Sequence, residues 1–178
     1  LLIAAARGEL ATEEGRVAQT VRLLADPRAE ATILRFVDQW LGTRGFEALA
    51  PGGQASDAVL ASMRSVFDAE VLDALRNGTT LGDLLLQDQV MVDATLADFY
   101  GVDAPADGMS YVDGQGIYGG LLRSGAVIAG HSKSEAVAPI LRGLLIRERF
   151  LCQELPAPPA NAASMQEELD AQVGESPR

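Results

Sequence analysis

Residues that bind metals or act as catalytic bases are scarce in this sequence. Its 178 residues include one cysteine and one histidine. A structural zinc site needs about four cysteine or histidine ligands, so the composition excludes one. A serine or cysteine hydrolase uses a histidine as its base, and His131 is the single candidate. We therefore name no catalytic residue and no metal ligand from the sequence.

Basic residues and long apolar runs are scarce as well. The chain has 14 Lys plus Arg against 25 Asp plus Glu, a formal net charge of -11. An acidic surface repels nucleic acids and anionic membranes, so neither is expected as a partner, whereas a basic partner domain would suit it. No run of 18 apolar residues occurs, and the sequence therefore predicts no membrane span.

The remaining composition is that of a globular helical protein. Hydrophobic residues make up 48% and charged residues 22%, enough to bury a core without disulfides. Capping side chains, apolar residues at helical spacing and closing glycines predict a series of helices. We predict them after Thr12, from Pro27 to about Leu41, from Ser56 or Asp57 to about Arg76, after Thr80, after Asp93, and from about Ala136 to Gln153.

Two kinds of segment interrupt this pattern. Residues 102–120 are rich in Gly, Asp and Pro, and Ser110–Val112 is at most a short strand there. Pro156–Pro159 cannot continue a helix and is expected to be extended, and residues 164–178 form an acidic tail that is expected to be mobile. The predicted fold is mainly α, an irregular multi-helix bundle with a Gly/Asp-rich loop region and a Pro-rich extended tail.

His131 lies in a polar stretch that we interpret as an accessible loop before the last helix. It could act as a general base, a metal ligand or a haem axial ligand, or it could simply bond to the backbone. Ser132 and Ser134 beside it suggest a hydrolase, but the Gly-x-Ser-x-Gly turn of such enzymes is missing.

Cys152 follows the apolar pair Phe150–Leu151 near the end of the last predicted helix. A lone cysteine can be a small core residue, and in a secreted protein it would pair with a cysteine outside this fragment. The sequence lacks the Cys-x-x-Cys-His motif, so this chain attaches no haem covalently.

The loop from Val102 to Gly120 offers two kinds of ligand chemistry. The aromatic rings of Tyr111 and Tyr118 could stack on a carbohydrate or another ligand. Oxygen ligands from the loop could hold calcium, although their spacing fits no EF-hand. These candidate ligands are Asp103, Asp107, Asp113 and Gln115.

Several phrases resemble two adjacent protein domain families. Arg22–Ala29, followed by Phe36–Leu41, resembles the signature of DUF1592, and Leu96–Gly101 resembles its closing phrase. Phrases further along the chain resemble the DUF1588 domain that follows it: Arg123–Ser132, Ala138–Gly143, and the "LLCxxLPxPP" element at Leu151–Pro159. The phrases occur in the family order over about residues 1–163.

The resemblance implies a domain organisation. Residues 1–101 would be a DUF1592-like helical domain whose start has been cut away. Residues 102–163 would be a DUF1588-like loop region plus long helix, truncated at its C-terminal side, and 164–178 the tail. The chain departs from the family at Val137-Ala138, where Thr-Ser usually precedes the proline.

The resemblance also implies a large, secreted, cytochrome-like parent protein in the periplasm or outside the cell. Haem c is then expected in the flanking sequence, and flanking cytochrome-like domains of the same protein are the expected partners. No established catalytic residues carry over.

Three functions remain open at this point. The first is a helical scaffold or docking portion without its own catalysis. The second is part of a redox active site, with His131 or a methionine (Met91 or Met109) near a haem or substrate. The third is a carbohydrate or ligand-binding module through loop 102–120.

Overall fold

A computed structural model of the chain describes residues 1–49, 55–132 and 139–154. The Pro-rich segment at 156–159 and the acidic tail at 164–178 lie outside these residues, as do Ser134 and Val137-Ala138. Within the described residues the fold is mainly α-helical with one short two-stranded sheet, which confirms the predicted class.

The elements follow one another with short connections. In chain order they are α1 (Leu2–Ala6), α2 (Glu13–Leu24), α3 (Arg28–Leu41), α4 (Phe46–Leu49), α5 (Asp57–Asn77), α6 (Leu81–Leu86), β1 (Gln89–Val92), α7 (Ala94–Tyr100), β2 (Ser110–Asp113), α8 (Gly125–Gly130) and α9 (Pro139–Leu145). Short 3₁₀ turns span Glu9–Ala11 and Leu121–Arg123, and a π-helical turn, Ile146–Phe150, follows α9.

The predicted helix starts are confirmed by side-chain caps. In each, the side-chain oxygen of the cap residue accepts a hydrogen bond from a backbone N–H three residues later, which satisfies a donor that the helix cannot. These caps are Thr12 for α2, Ser56 for α5, Thr80 for α6 and Asp93 for α7. Gly42, with φ 65°, ends α3 in the left-handed conformation that favours glycine.

The two strands form an antiparallel ladder with Gln89 opposite Asp113 and Val92 opposite Ser110. The predicted short strand at Ser110–Val112 is therefore confirmed, but its partner β1 was not predicted. A four-residue strand with three consecutive buried residues lacks the alternation that signals a strand, because both of its faces are covered.

α5 is the centre of the core. Its buried side chains include Val66, Phe67 and Val71, and they belong to one hydrophobic cluster with residues of α3, α4, α7 and α8. Phe46 of α4 and Val127 of α8 lie in this cluster. The segments 1–101 and 102–163, predicted as separate domains, thus contribute to the same core.

Two helix predictions near the C-terminal end differ from the structure. α8 was not predicted, and the helix predicted for Ala136–Gln153 is α9 followed by the π-helical turn, which ends at Phe150. Beyond it, Cys152 has a φ of 51°, so the backbone leaves the helix before Gln153. The Gln153 N–H still donates to the Arg147 carbonyl at 2.9 Å, which closes the end of this segment.

α2 lies at the periphery of the described structure. Its apolar residues Val17, Val21 and Leu24 fall at the predicted helical spacing, yet all three are exposed and no residue of α2 is buried. Within the described residues, no helix has both the length and the apolar composition that crossing a bilayer requires.

Candidate functional site

Arg64 on α5 is the centre of the densest group of charged side chains. Its guanidinium donates hydrogen bonds to Asp38 at 2.8 Å, Glu47 at 2.8 Å, Asp68 at 3.3 Å and the Thr43 carbonyl at 3.0 Å. The arginine side chain is 22% exposed. This Arg64 cluster joins α3, the α3–α4 connection, α4 and α5 at one point.

Two aromatic rings complete the Arg64 cluster. The guanidinium carbon lies 4.9 Å from the ring centre of Phe46 and 5.5 Å from that of Phe67, distances suited to cation–π attraction. Burial acts to lower the pKa of Arg64, but the hydrogen bonds that it donates to Glu47 and Asp38 outweigh this effect, and the net shift of the pKa is upward. The arginine is therefore a permanently charged structural anchor, not a proton donor.

Glu70, two turns of α5 further on, is buried much more deeply. Its side chain is 2% exposed, and its Oε1 accepts a hydrogen bond from the Gln87 side-chain amide at 3.1 Å. Burial raises the pKa of the Glu70 carboxyl to about 7, against an opposing effect of the Gln87 bond. Nearby, the Tyr111 hydroxyl donates to Asp73 at 3.4 Å. A carboxyl group with this titration range is a candidate functional group.

The two tyrosines proposed as ligand-stacking faces have partners inside the protein. Tyr118 stacks on Tyr100 with ring centres 3.9 Å apart and planes 13° from parallel. The Tyr100 hydroxyl accepts a hydrogen bond from the Gly125 N–H at 2.9 Å, and burial raises the pKa of Tyr100 well above its usual range. With the Tyr111 hydroxyl bonded to Asp73, these rings stabilise the fold directly.

The glycine-rich loop lies flat against the backbone between α6 and β1. A Cβ on Gly119 would lie 2.4 Å from the Gln87 carbonyl oxygen, and one on Gly120 would lie 2.5 Å from the Leu85 backbone. Only glycine permits this approach. Arg123 fixes the same junction, since its guanidinium donates to the Gln87 carbonyl at 2.9 Å and to the Gly116 carbonyl at 3.3 Å.

The candidate calcium ligands of the loop are used differently. The Asp113 carboxylate accepts a hydrogen bond from the Gln115 N–H at 2.9 Å, which stabilises a local turn. Among the residues that the structure describes, no three His, Cys, Asp or Glu side chains are grouped so that they could hold a metal ion.

His131 follows α8 directly and is half-buried, where the sequence predicted an accessible loop. Its Nδ1 lies 3.0 Å from the Val127 carbonyl oxygen. Its Nε2 faces Gly42, at 3.0 Å from the position that a Cβ on Gly42 would take. The neighbouring Ser132 hydroxyl donates to the Ile128 carbonyl at 2.7 Å, so both polar side chains bond to the turn that precedes them.

His131 and the two methionines proposed near a haem lie in different surroundings. Gly42 lies beside Nε2, and its lack of a side chain leaves room for the imidazole ring. Met91, one of the methionines proposed near a haem, is buried in β1, and Met109 is exposed. The role of His131 in a redox site stays a prediction.

Cys152 is an exposed free thiol. It lies just after the π-helical turn and lines a surface cavity with Glu148, Gln153 and Glu154. Its accessibility is compatible with the predicted pairing to a cysteine outside this chain.

Sequence reasoning missed Arg64 and Glu70, although a signal for both was present. Arg64 shares a helical face with Leu60 and Phe67, and Glu70 lies between Phe67 and Val71. A charged residue on the apolar face of a predicted core helix is expected to have a buried partner. The partners themselves, in other elements, follow only from the fold.

These contacts define a mainly helical domain whose conspicuous polar residues hold its elements together. Residues 1–102 match the family model PSD4, "Protein of unknown function (DUF1592)", and the chain belongs to this family. Residues 118–177 match PSCyt3, "Protein of unknown function (DUF1588)". Both resemblances are thereby confirmed. None of the curated proteins and none of the solved structures compared matches the chain.

The family phrases coincide with the structural contacts described above. Asp38 of the DUF1592-like signature binds Arg64, and Tyr100 of the closing phrase binds the Gly125 N–H. Arg123, which opens the first DUF1588-like phrase, binds the Gln87 carbonyl. His131 lies near the end of the phrase that Arg123 begins. These polar residues therefore have bonding partners within the fold.

Proposed function

We propose that this chain is a helical scaffold and docking portion of a multidomain, secreted redox protein that carries haem c, and that it performs no catalysis itself. The observation that carries the proposal is the use of the family's polar residues in internal contacts. Asp38, Tyr100 and Arg123 each bond to another part of the chain, and His131 bonds to the turn that precedes it. A domain whose polar motif residues are engaged in this way can position other domains.

The partner that we propose is a cytochrome-like domain of the same polypeptide. The resemblance described above and the short name of the DUF1588 model support this association. Haem c would supply electron transfer in that domain. The chain contains one cysteine and one histidine, so the covalent attachment of haem belongs to other parts of the polypeptide, and the location would be periplasmic or extracellular.

The docking surface that we propose is the α2 face, formed by Val17, Val21 and Leu24. All three are exposed on a helix with no buried residue, and a short helix gains most of its stability from packing an apolar face. Glu13 and Glu14 lie at the start of this face, and the chain carries a charge of -11. A partner surface that is apolar with basic residues around it complements both features.

The visible spectrum of the natural gene product that contains this chain tests the haem association. The proposal predicts a Soret band with the α and β bands of a c-type cytochrome after reduction. A purified, folded gene product without a Soret band would overturn the association with haem.

His131→Ala in that same gene product separates the proposal from its main alternative, a redox site that uses His131. The alternative is favoured by the place of His131 in a family phrase. Under our proposal the haem spectrum and reduction potential stay unchanged, because His131 bonds to the Val127 carbonyl of the preceding turn and takes no part in binding haem. A shift of either would instead support the redox-site alternative.

A further inference from the structure

Gln87 is the point at which the glycine-rich loop is connected to the central helix. Its side-chain amide donates to Glu70 on α5 at 3.1 Å. Its carbonyl accepts from Arg123, which also binds the loop carbonyl of Gly116. One residue thus contacts α5 through its side chain and the loop through its backbone.

The same junction continues into the sheet and the aromatic stack. Gly114 donates to the Asp88 carbonyl and Gly120 to the Gln89 carbonyl, at 3.2 and 3.3 Å. Tyr118 of the loop stacks on Tyr100. Loop 114–120, β1 and β2 therefore form one layer, here called the hairpin layer, which packs on α5 where Glu70 is buried.

Among the described residues, no positively charged group is found among the titratable groups that act on Glu70. These groups are Asp73 on α5, Tyr111 on β2 and Tyr100 on α7. Two are phenols and one is a second carboxyl. An ionised Glu70 is therefore buried with a single neutral donor, Gln87, which offsets only part of the cost of removing a charge from water.

We propose that the contact between Glu70 and Gln87 is a proton-operated latch for the hairpin layer. With Glu70 protonated, the layer stays closed on α5. With Glu70 ionised, the layer opens more often, because opening brings the carboxylate into water. This pH-dependent contact is independent of the scaffold function proposed above, since it involves neither the α2 face nor a haem.

The direction of the pH effect follows from the buried state of the carboxyl. Burial holds the pKa of Glu70 at about 7 in the closed state, above the usual value of about 4.3 for a hydrated glutamate. The closed state thus binds the proton more tightly than the open state. Closing is strongest at acidic pH and weakens as the pH rises towards and through neutrality.

Hydrogen–deuterium exchange of the 178-residue chain at pH 6 and pH 8, corrected for intrinsic exchange rates, tests the latch. The protection of β1, β2 and loop 114–120 should fall on the order of tenfold between the two values. Helix α2, which has no buried residue and exchanges by local opening, serves as the internal reference and should show no such fall. Equal protection of the hairpin layer at both pH values would overturn the proposal.

Glu70→Gln should abolish this pH dependence, since the amide keeps the size of the side chain and cannot ionise. Glu148→Gln, which changes an exposed glutamate on the π-helical turn, is the matched control and should retain the wild-type profile. A Glu70→Gln variant that retains the full pH dependence would contradict the latch.

A titration of the wild-type chain decides the matter if Glu70→Gln fails to fold. The carboxyl carbon of Glu70, followed by NMR, should titrate near pH 7, and the hairpin-layer amides should shift with the same midpoint. A Glu70 carboxyl that titrates near pH 4 would overturn the proposal.

Discussion

Helices α2 and α5 begin with the same kind of cap but contribute differently to the core. Each starts at a hydroxyl cap, Thr12 or Ser56, and each carries apolar residues at helical spacing. Yet α5 buries residues along most of its length, whereas no residue of α2 is buried. Helical periodicity therefore establishes that a helix forms, but it does not identify the surface that covers the apolar side.

The buried polar residues sharpen the difference between the two helices. α5 brings Arg64 and Glu70 into its packed side, and each has hydrogen-bond partners on other elements. In α2, the Arg16 guanidinium bonds to the carbonyls of Leu10 and Ala11, just before its own helix. The contacts of α5 are long-range, and those of α2 are local, so we expect their stabilities to respond very differently to substitution.

Removal of a core aromatic ring should produce the largest contrast. Phe67→Ala on α5, at a side chain 1% exposed, should lower the free energy of unfolding by about 3–5 kcal/mol, because it leaves a cavity in the core. Phe36→Ala, at a ring 64% exposed, should cost less than about 1 kcal/mol. Urea denaturation measures the loss in each variant, provided that the m-value is the same as in the wild-type chain. Equal losses would contradict the assignment of α5 as the centre of the core.

Removal of the central arginine should have the next largest effect. Arg64→Leu leaves three carboxylates without their shared partner and should cost about 3 kcal/mol. Arg76→Leu is a control on the same helix, since Arg76 pairs with Glu30 but is 61% exposed, and it should cost about 0.2–1 kcal/mol. The same urea experiment at neutral pH compares them. A small loss at Arg64 would show that the Arg64 cluster is dispensable for folding.

The global stability of the chain should depend on pH through Glu70. Because the pKa of Glu70 is about 7 in the folded chain, and lower when unfolded, the folded state holds the proton more tightly. The free energy of unfolding should thus fall by about 2–3 kcal/mol through this group from pH 5 to pH 8. Glu70→Gln should remove that contribution, as measured by urea denaturation across the pH range.

The sequence predicted the elements whose signals are local. The caps at Ser56, Thr80 and Asp93 and the closing glycine at Gly42 were readable because each acts within a few residues. Strand β1 was not, because it depends on pairing with β2 from a separate part of the chain. Helix α8 was missed because six small or branched residues, Gly125–Gly130, carry too little periodicity to indicate one.

The candidate site was less predictable than the fold. His131 was singled out because it is the only histidine, but its position depends on Gly42, almost ninety residues earlier in the chain. In the sequence, Arg64 and Glu70 resemble ordinary charged residues of a helix. Their partners lie on α3, on α4 and at Gln87, and only the fold brings them together. His131 stands out in the sequence because it is the single histidine. Glu70 stands out only in the structure, because its side chain is buried.

Helix caps should give the smallest of these effects and test the two helices directly. Ser56→Ala should lower the free energy of unfolding of the whole chain by about 1 kcal/mol, because α5 unfolds only with the core. Thr12→Ala should instead increase amide exchange within α2 while leaving the urea midpoint nearly unchanged. A clear midpoint shift for Thr12→Ala would show that α2 unfolds cooperatively with α5.

The most direct test of the docking account compares hydrogen exchange of this 178-residue chain alone with that of the same residues in their natural gene product. We predict that α2 amides exchange rapidly in the chain alone and become protected in the gene product, where the α2 face is covered, while α5 is equally protected in both. Unchanged, rapid exchange of α2 in the gene product would contradict the account.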